Sequence, residues 1–445
     1  MGLQAETQGN ASPLEFDLTR SLLGHNLKLR NQLSAEKIKF LEDQGIILAT
    51  WFPHSSLGPE GIIATGDVYA DSYRAFGLER ISRIAQVGEI AFSEEELALP
   101  DFINLQSRAF SSTTRWDHCL TTGIILELML RNNHCAERDI ATGIIGGLLH
   151  DAAITPFSDL ISGLDLKGLD EAENLPLYIK TLDKSRLDAF SNNYTPDYAK
   201  ILEIVKGKGG SLGTLLKIAD RLAYTACDSS VSSAVLRHKR KASSKSDGNP
   251  MNELVDIFEN NPKLFDIFRE VKIDPQSDNV YFEDSRKMAL FLRVRAIMFA
   301  HFYLNPQRLN FQAVVRKTVK VMMDEGALGV DDFLRMTDIE MRVKLYPHMR
   351  FNHKEIYEKV GFVKGKTMGE VVKSLKKEGV SSERVFWADD IAKFDTLSHW
   401  MVRDSKRGKI MPFSKACPKE TKGLEDLSRR AQGFVVYFVK PGYEL

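Results

Sequence analysis

The sequence is poor in cysteine, carries no excess charge and contains no long apolar run. Each of these absences excludes a class of protein. Its 4 cysteines form no Cys-x-x-Cys pair, so neither a zinc knuckle nor a disulfide framework is indicated, and a reducing compartment is expected. Basic and acidic residues number 60 each, so no global field attracts nucleic acid or an anionic membrane. No apolar run approaches the ~18 residues of a transmembrane helix, and the polar start does not resemble a secretory signal. These features predict a soluble cytoplasmic protein.

The apolar pattern indicates how the chain is divided. Hydrophobic residues are 43% and charged residues 27% of 445, which is typical of a globular protein with a large core. Apolar residues recur mostly at helical spacing, which predicts a mainly α fold. Strand-like segments lie at 46–52, 385–388 and 434–439. We therefore expect an N-terminal extension over 1–67, a helical body over 68–345 and a small C-terminal α+β lobe over 346–445, suited to oligomer contact or regulation.

Helices are predicted wherever the apolar period is clear and a cap or breaker bounds it. These segments are 34–44, 78–85, 121–130, 140–149, 215–228, 254–268 with a break near Pro262, 284–304, 306–325, 331–344 and 368–377. The basic run from Arg237 to Lys241, with Ser, Gly, Asn and Pro after it, predicts a solvated loop.

Four residues have the chemistry of a metal site. His118, His150, Asp151 and Asp220 combine imidazole nitrogen with carboxylate oxygen, which suits a divalent transition metal and leaves positions open for water and substrate. His118 starts one predicted helix and His150 closes the next, so two antiparallel helices can direct ligands to one point. The alternative is a set of buried structural residues. The apolar residues before His150 favour the metal, because unpaired buried charge is costly.

The motifs around these residues resemble a known family. Arg115-Trp116-Asp117-His118, then Leu149-His150-Asp151 and Pro156-Phe157-Ser158, are similar to the HD-domain phosphohydrolases, and more narrowly to the deoxynucleoside triphosphate (dNTP) triphosphohydrolases. The resemblance covers about residues 68 to 346. It implies an HD-type helical bundle that splits a dNTP into deoxynucleoside and triphosphate and forms a homo-oligomer. The four ligands would hold a divalent ion (Mn, Mg, Fe, Ni, Co or Zn).

The same resemblance assigns residues to the substrate. Gln86 and Val87 match residues that touch the deoxyribose, although Gln86 also fits a capped surface amide. Arg115, one helical turn before His118, matches a phosphate ligand, with a surface arginine paired to Asp117 as the alternative.

Further substrate residues follow on later helices. Tyr224 and Asp228 share a helix face with Asp220 and could pack on and hydrogen-bond to the sugar, or be amphipathic core and a solvated charge. Arg221 stands where the family has a phosphate-contacting lysine. Arg295 and Tyr303 resemble residues that line the phosphate and sugar pocket.

The sequence departs from the family at the acid–base positions. Where relatives usually carry histidines after the His-Asp pair and then an acid, this chain has Ile154, Asp159 and Ser162. Asp159 becomes the candidate proton donor if burial raises its pKa. Two other functions therefore stay open: a phosphatase acting on nucleoside mono- or diphosphates or on a modified nucleotide, and a non-catalytic nucleotide sensor.

Overall fold

A computed structural model of the chain describes most of the helical body and parts of both ends. The described residues are 46–47, 64–65, 67–84, 114–162, 171–194, 196–242, 251–261, 263–349, 356–361, 370, 373, 377, 384–391, 396–405 and 407–440. Three predicted elements fall largely outside them: the helix at 34–44, most of the strand at 46–52, and most of the helix at 368–377.

Helices dominate the described residues, which confirms the predicted mainly α fold. In chain order the helices are α1 Asp67–Ala75, α2 Arg115–Asn132, α3 Glu137–Leu149, α4 Asp159–Ser162, α5 Glu171–Lys180, α6 Lys184–Tyr194, α7 Tyr198–Val205, α8 Gly210–Ala242, α9 Asn252–Asn260, α10 Ser285–Met298, α11 Pro306–Asp324, α12 Val330–Arg335, α13 Asp338–Leu345, α14 Phe413–Ala416 and α15 Pro418–Ala431. The strands are β1 Ile46–Ile47, β2 Ala64–Thr65, β3 Val271–Ile273, β4 Val280–Phe282, β5 Ile356–Gly361, β6 Val385–Ile391, β7 Met401–Arg403, β8 Ile410–Pro412 and β9 Gly433–Val439. None of the helices in these ranges has both the length and the apolar character needed to cross a bilayer.

The hairpin of α2 and α3 is the centre of the helical body. Thr114 begins α2 with a capping box: its side chain accepts from the backbone N–H of Asp117, whose carboxylate accepts from the backbone of Thr114. The two helices approach closely at Gly123 and Gly147, where a Cβ added to Gly147 would lie 2.7 Å from the Cα of Gly123. The close approach brings the start of α2 beside the end of α3.

The long helix α8 packs across this hairpin and against α9. It continues to Ala242, so the basic run from Arg237 to Lys241 is helical, and the loop predicted there is wrong. A solvated basic run forms a helix as readily as a loop when nothing in it breaks the pattern, because lysine and arginine are good helix formers.

A second prediction fails before the hairpin. The segment predicted as a helix over 78–85 is described up to residue 84, and within that part the helical structure is one 3-10 turn, Ile81–Arg83, after a positive φ of 58° at Gly77. Ile84 is already extended, and its carbonyl accepts a hydrogen bond from the N–H of Arg115, 2.9 Å away. This tertiary contact holds the backbone of Ile84 in an extended conformation.

The C-terminal segment joins the helical body through two sheets. Strand β7 pairs in parallel with β4, which gives the sheet order β3-β4-β7-β8, and α15 packs on α10. The antiparallel sheet β5-β9-β6 packs on α11 in a separate small core of six residues. The predicted strands at 385–388 and 434–439 are present, whereas β2, β3, β4, β5, β7 and β8 were not predicted. The division at residue 345 stays a prediction.

Candidate metal centre and substrate pocket

Four side chains from three helices meet at one point. α2 supplies His118, the end of α3 supplies His150 and Asp151, and α8 supplies Asp220. The Nε2 atoms of His118 and His150 are 3.1 Å apart. Oδ1 of Asp220 lies 3.2 Å from Nε2 of His118 and 3.7 Å from Nε2 of His150. Asp151 reaches both imidazoles with its two oxygens, each at 3.6 Å.

The backbone orients one of these imidazoles. Nδ1 of His150 lies 2.7 Å from the carbonyl oxygen of Gly147. A carbonyl only accepts, so this contact places a proton on Nδ1, and in the neutral ring the lone pair is then on Nε2, which faces His118. Such a hydrogen bond is the usual way in which proteins fix a metal-binding histidine.

His150, Asp151 and Asp220 shift one another's pKa values. Burial opposes the charged form of His150, but the Asp151 carboxylate and the hydrogen bond to Asp220 outweigh burial and raise its pKa well above the usual value. Burial acts likewise against both carboxylates, yet the His150 imidazole and the Arg115 guanidinium hold the pKa of Asp151 below its usual range, and the two imidazoles hold the pKa of Asp220 below its usual range.

The donor set fits a metal ion. His118, His150 and Asp151 each offer a ligand atom, and these atoms lie within 4.8 Å of one another. Two imidazoles and a carboxylate form a set that transition metals bind readily. Asp220 adds a second carboxylate next to both imidazoles.

Arg115 contacts the metal-site carboxylate directly. Its Nη1 donates to Oδ2 of Asp151 at 3.0 Å and its Nε donates to Oγ of Ser158 at 2.9 Å. The side chain is 5% exposed, so the alternative of a surface arginine is wrong. Asp117, the partner in that alternative, caps α2 with Thr114.

The turn after Asp151 is held from two sides. Phe157 and Ser158 have positive φ angles of 60° and 52°, which residues other than glycine adopt only at a cost. The N–H of Phe157 donates to Oδ1 of Asp338 at 2.7 Å, 181 residues along the chain. Arg80 donates to the carbonyls of Ala152 and Ile154 at 3.0 and 2.7 Å. These contacts keep Ser158 in reach of Arg115.

Aromatic and charged side chains lie beside the four candidate ligands. The Tyr224 ring lies 6.5 Å from the His118 ring, and its hydroxyl accepts from Nε of Arg295 at 2.9 Å. The hydroxyl of Tyr303 donates to the carboxylate of Asp228, which is 2% exposed. Asp228 is therefore buried, and the alternative of a solvated charge is wrong. The structure brings Tyr224, Arg295, Tyr303 and Asp228 together.

Arg221 turns toward the C-terminal segment. Its guanidinium carbon lies 5.4 Å from the centre of the Trp400 ring, within the range of a cation–π contact. Trp400 immediately precedes β7 and stacks on Phe282 at 5.9 Å. A residue next to the candidate ligand Asp220 thus contacts a part of the chain that is far away in sequence.

No protein-family model matches the sequence, and no curated protein does so. Solved structures do match. A hypothetical protein from Aquifex aeolicus is similar with a TM-score of 0.61 and 14% identity, over 88% of this chain and 96% of that one. A phosphohydrolase from Bacteroides thetaiotaomicron is similar with a TM-score of 0.52 and 14% identity, over 85% and 98%. The fold is shared. At this level of identity the likeness concerns the fold alone.

Some predicted site residues are not tested by this geometry. Gln86 and Val87 lie outside the described residues. Asp159 begins the short helix α4, and its side chain also lies outside the described part of the chain. Their roles remain predictions.

Other polar residues at the site were missed by sequence reasoning. Arg80 and Asp338 support the turn after Asp151 and Trp400 contacts Arg221, as described above. On α11, Arg316 is buried and donates to the carbonyl of Leu160 at 2.8 Å, next to Asp159. Arg80 lies in the segment predicted as a helix over 78–85, and its residue type alone does not mark it as a contact of a distant turn. The sequence around Arg316 holds no signal that sets it apart, because Lys317 and Lys320 on the same helix are equally basic.

Proposed function

We propose that this chain is a metal-dependent nucleotide phosphohydrolase of the HD type, which splits a dNTP into deoxynucleoside and inorganic triphosphate. The observation that supports it most is the meeting of two imidazoles and two carboxylates beside buried arginine and tyrosine side chains. The phosphohydrolase of the same fold supports the reaction class. The motif resemblance supports the dNTP substrate.

The ion would be held by His118, His150 and Asp151, with Asp220 as a fourth ligand. When bound, a divalent cation supplies a Lewis acid that polarises a phosphoryl oxygen and makes water more acidic. The chain's own part is to orient the donors beforehand. Arg115 grips Asp151, and the carbonyl of Gly147 fixes the ring of His150.

The substrate would lie along the aromatic and charged side chains beside the candidate ligands. Arg115, Arg221 and Arg295 would neutralise the phosphates, since arginine forks match phosphate oxygens. The sugar would be contacted by tyrosine, carboxylate, amide and apolar side chains, namely Tyr224, Tyr303, Asp228, Gln86 and Val87. Tyr224 and Tyr303 are already oriented, by Arg295 and by Asp228, and so little ordering is required when a substrate binds.

One proton must reach the leaving group. Cleavage between the α-phosphorus and the 5′-oxygen leaves an alkoxide, and Asp159 would protonate it. Asp159→Asn should then lower kcat at least about 100-fold while nucleotide binding is kept. An unchanged kcat would remove Asp159 from the mechanism.

A second candidate function follows from the position that is usually a catalytic histidine in relatives. Here it is Ile154, which is buried and apolar. This observation favours a phosphatase on nucleoside mono- or diphosphates or a modified nucleotide, or a sensor that binds a nucleotide without turnover.

One experiment separates these functions. The chain is stripped with a chelator, reloaded with single divalent metals and incubated with dNTPs, NTPs and nucleoside monophosphates. Triphosphate release supports the dNTP reaction, orthophosphate release the phosphatase, and tight nucleotide binding without product the sensor.

Matched variants test the site in the same assay. Asp220→Asn should lose both bound metal and turnover. Asp331→Asn, at an exposed position on α12, should keep both. A metal-free chain that turns over as fast as the loaded chain would contradict the proposal.

A further inference from the structure

One face of α8 stays accessible beyond the candidate metal ligand Asp220. Between residues 220 and 231 the partly exposed side chains are Asp220, Arg221, Tyr224, Cys227 and Val231, and the others are buried. Positions 220, 224, 227 and 231 are spaced by four, three and four residues, so they lie in one line along the helix. We call this line the accessible strip.

The chemistry of the accessible strip changes along the helix. Its first part is charged, with Asp220 and, beside it, Arg221. Tyr224 follows, and its hydroxyl accepts from Nε of Arg295. Cys227 and Val231 complete the strip with an apolar surface, since a free thiol packs like a small apolar group.

The hydroxyl groups in the second part of this helix are turned away from the strip. Thr225, Ser229 and Ser230 are all buried. The hydroxyl of Ser229 donates to the backbone carbonyl of Thr225, within the same helix. Between Tyr224 and Val231, α8 therefore offers an apolar surface to whatever lies on the strip.

Cys227 lies in a recess. Its side chain is only half-buried, yet burial raises the pKa of its thiol well above the usual value, and the carboxylates of Asp228 and Asp117 raise it further. A group that is accessible and also poorly solvated lines an enclosed pocket, whereas one on the outer surface would be fully solvated. The strip thus continues the candidate substrate pocket inward from Tyr224.

The order of groups along the strip matches the order of groups in a nucleotide. With a rise of 1.5 Å per residue, Tyr224 lies about 6 Å and Cys227 about 10 Å along the helix axis from Asp220. A nucleotide held by its phosphate at the candidate metal site places its sugar next and its base beyond the sugar. The flat, apolar face of a base fits the apolar end of the strip.

We propose that the nucleobase of the substrate lies on Cys227 and Val231, so that α8 holds the nucleotide with its phosphates toward Arg221 and its base toward Val231. This inference rests on the proposed nucleotide substrate. Because α8 contacts the base there through apolar groups, the space above Cys227 limits the size of the base.

Thiol labelling of the full chain tests this placement without turnover. Methyl methanethiosulfonate is added at mildly alkaline pH, where more of each thiol is ionised, and mass spectrometry follows each cysteine. Deoxyadenosine or dATP at about ten times its dissociation constant should slow the labelling of Cys227 about tenfold. Inorganic triphosphate, which has no base, should leave it unchanged. Cys135, half-buried in the turn between α2 and α3, is the internal control and should react equally in all samples.

A larger side chain at the same position tests the size limit. Cys227→Leu should raise the dissociation constants of dATP and dGTP roughly tenfold or more, because a pocket discriminates strongly by small differences in volume. Those of dCTP and dTTP, whose bases are smaller, should rise less. Far-UV circular dichroism checks that the variant is folded, and equilibrium dialysis gives the dissociation constants.

The outcomes separate this placement from the proposed function. Bound dATP that leaves the labelling of Cys227 unchanged overturns the placement, while a nucleotide substrate stands. A Cys227 that does not react in the free chain, or an equal loss of affinity for all four nucleotides in Cys227→Leu, also overturns it. If dialysis detects no bound nucleotide at all, the proposed function and the placement both fall.

Discussion

Asp338→Ala removes the acceptor that holds the turn after the candidate metal ligands. The N–H of Phe157 donates to this carboxylate at 2.7 Å, and both residues are buried. A buried N–H left without a partner costs about 1–3 kcal/mol. The turn already contains two positive φ angles, at Phe157 and Ser158, and cannot relax without losing its packing. We therefore expect the free energy of unfolding to fall by about 2–3 kcal/mol.

The same change should reach the metal site through two hydrogen bonds. Ser158 accepts from Arg115 at 2.9 Å, and Arg115 donates to Asp151 at 3.0 Å. If the turn shifts, Arg115 loses one of these partners and Asp151 is held less well. Removing a residue that supports a metal ligand usually weakens metal binding about 10- to 100-fold. We expect a loss in that range.

Urea unfolding of the metal-free chain gives the stability, and competition with a chelating dye gives the metal affinity. Asp338→Asn keeps an oxygen that accepts from Phe157, so it should lose less than about 1 kcal/mol. Asp331→Ala, on the exposed side of α12, should stay within about 0.5 kcal/mol of the wild type. If Asp338→Ala matched Asp331→Ala in both assays, the account of this turn would be refuted.

Three further predictions concern other parts of the structure. Gly147→Ala should destabilise the chain by about 1–3 kcal/mol in urea unfolding, because its Cβ would meet the backbone of the facing helix at 2.7 Å. Gly143→Ala should lower the free energy of unfolding by less, since its Cβ meets a leucine methyl group that can move. Equal decreases in the two variants would contradict this prediction. Trp400→Ala should raise the KM for nucleotide roughly 3- to 10-fold with kcat kept, because the stacked Arg221 loses a contact worth about 1 kcal/mol. Trp400→Phe should have a KM close to that of the wild type. An unchanged KM in Trp400→Ala would show that this contact does not contribute to nucleotide binding. Burial and a neighbouring arginine lower the pKa of His301 below 6.5, so the unfolded chain takes up this proton at a higher pH than the folded chain. The free energy of unfolding therefore decreases as the pH falls through 6.5. His301→Gln should make this pH dependence weaker in urea titrations, and an unaltered pH dependence would contradict the prediction.

Local pattern predicted the long helices well and the short elements poorly. The predicted helices at 121–130, 140–149 and 215–228 lie within observed helices, and the helix predicted over 284–304 corresponds to Ser285–Met298 and the turn that continues it, because a strong apolar period over many residues leaves little choice. The last of them ends in a π-helical turn, Phe299–Tyr303. Strands β3, β4, β7 and β8 have three residues each. Runs this short show no period, and it is their pairing across the chain that makes them strands.

The metal-site residues and their supports differ in how far the sequence could identify them. His118, His150 and Asp151 carry recognisable donor types in a spacing that two helices explain, and Asp220 follows the same chemistry. The supporting residues carry no such mark. The side chains of Arg80 and Asp338 bind backbone groups of the turn. Every residue has such groups, so the residue types at the turn do not indicate which side chains will bind there.

The sequence by itself determined the long helices, the candidate metal-binding residues and the motifs that suggest a nucleotide substrate, because these depend on local periodicity and on side-chain chemistry. Only the tertiary structure decided that Arg115 grips Asp151, that Asp338 holds Phe157 and that Trp400 lies against Arg221. Each of these contacts joins segments at least 36 residues apart. Their partners are chosen by how whole helices pack, and that choice is not encoded in any single stretch of the chain.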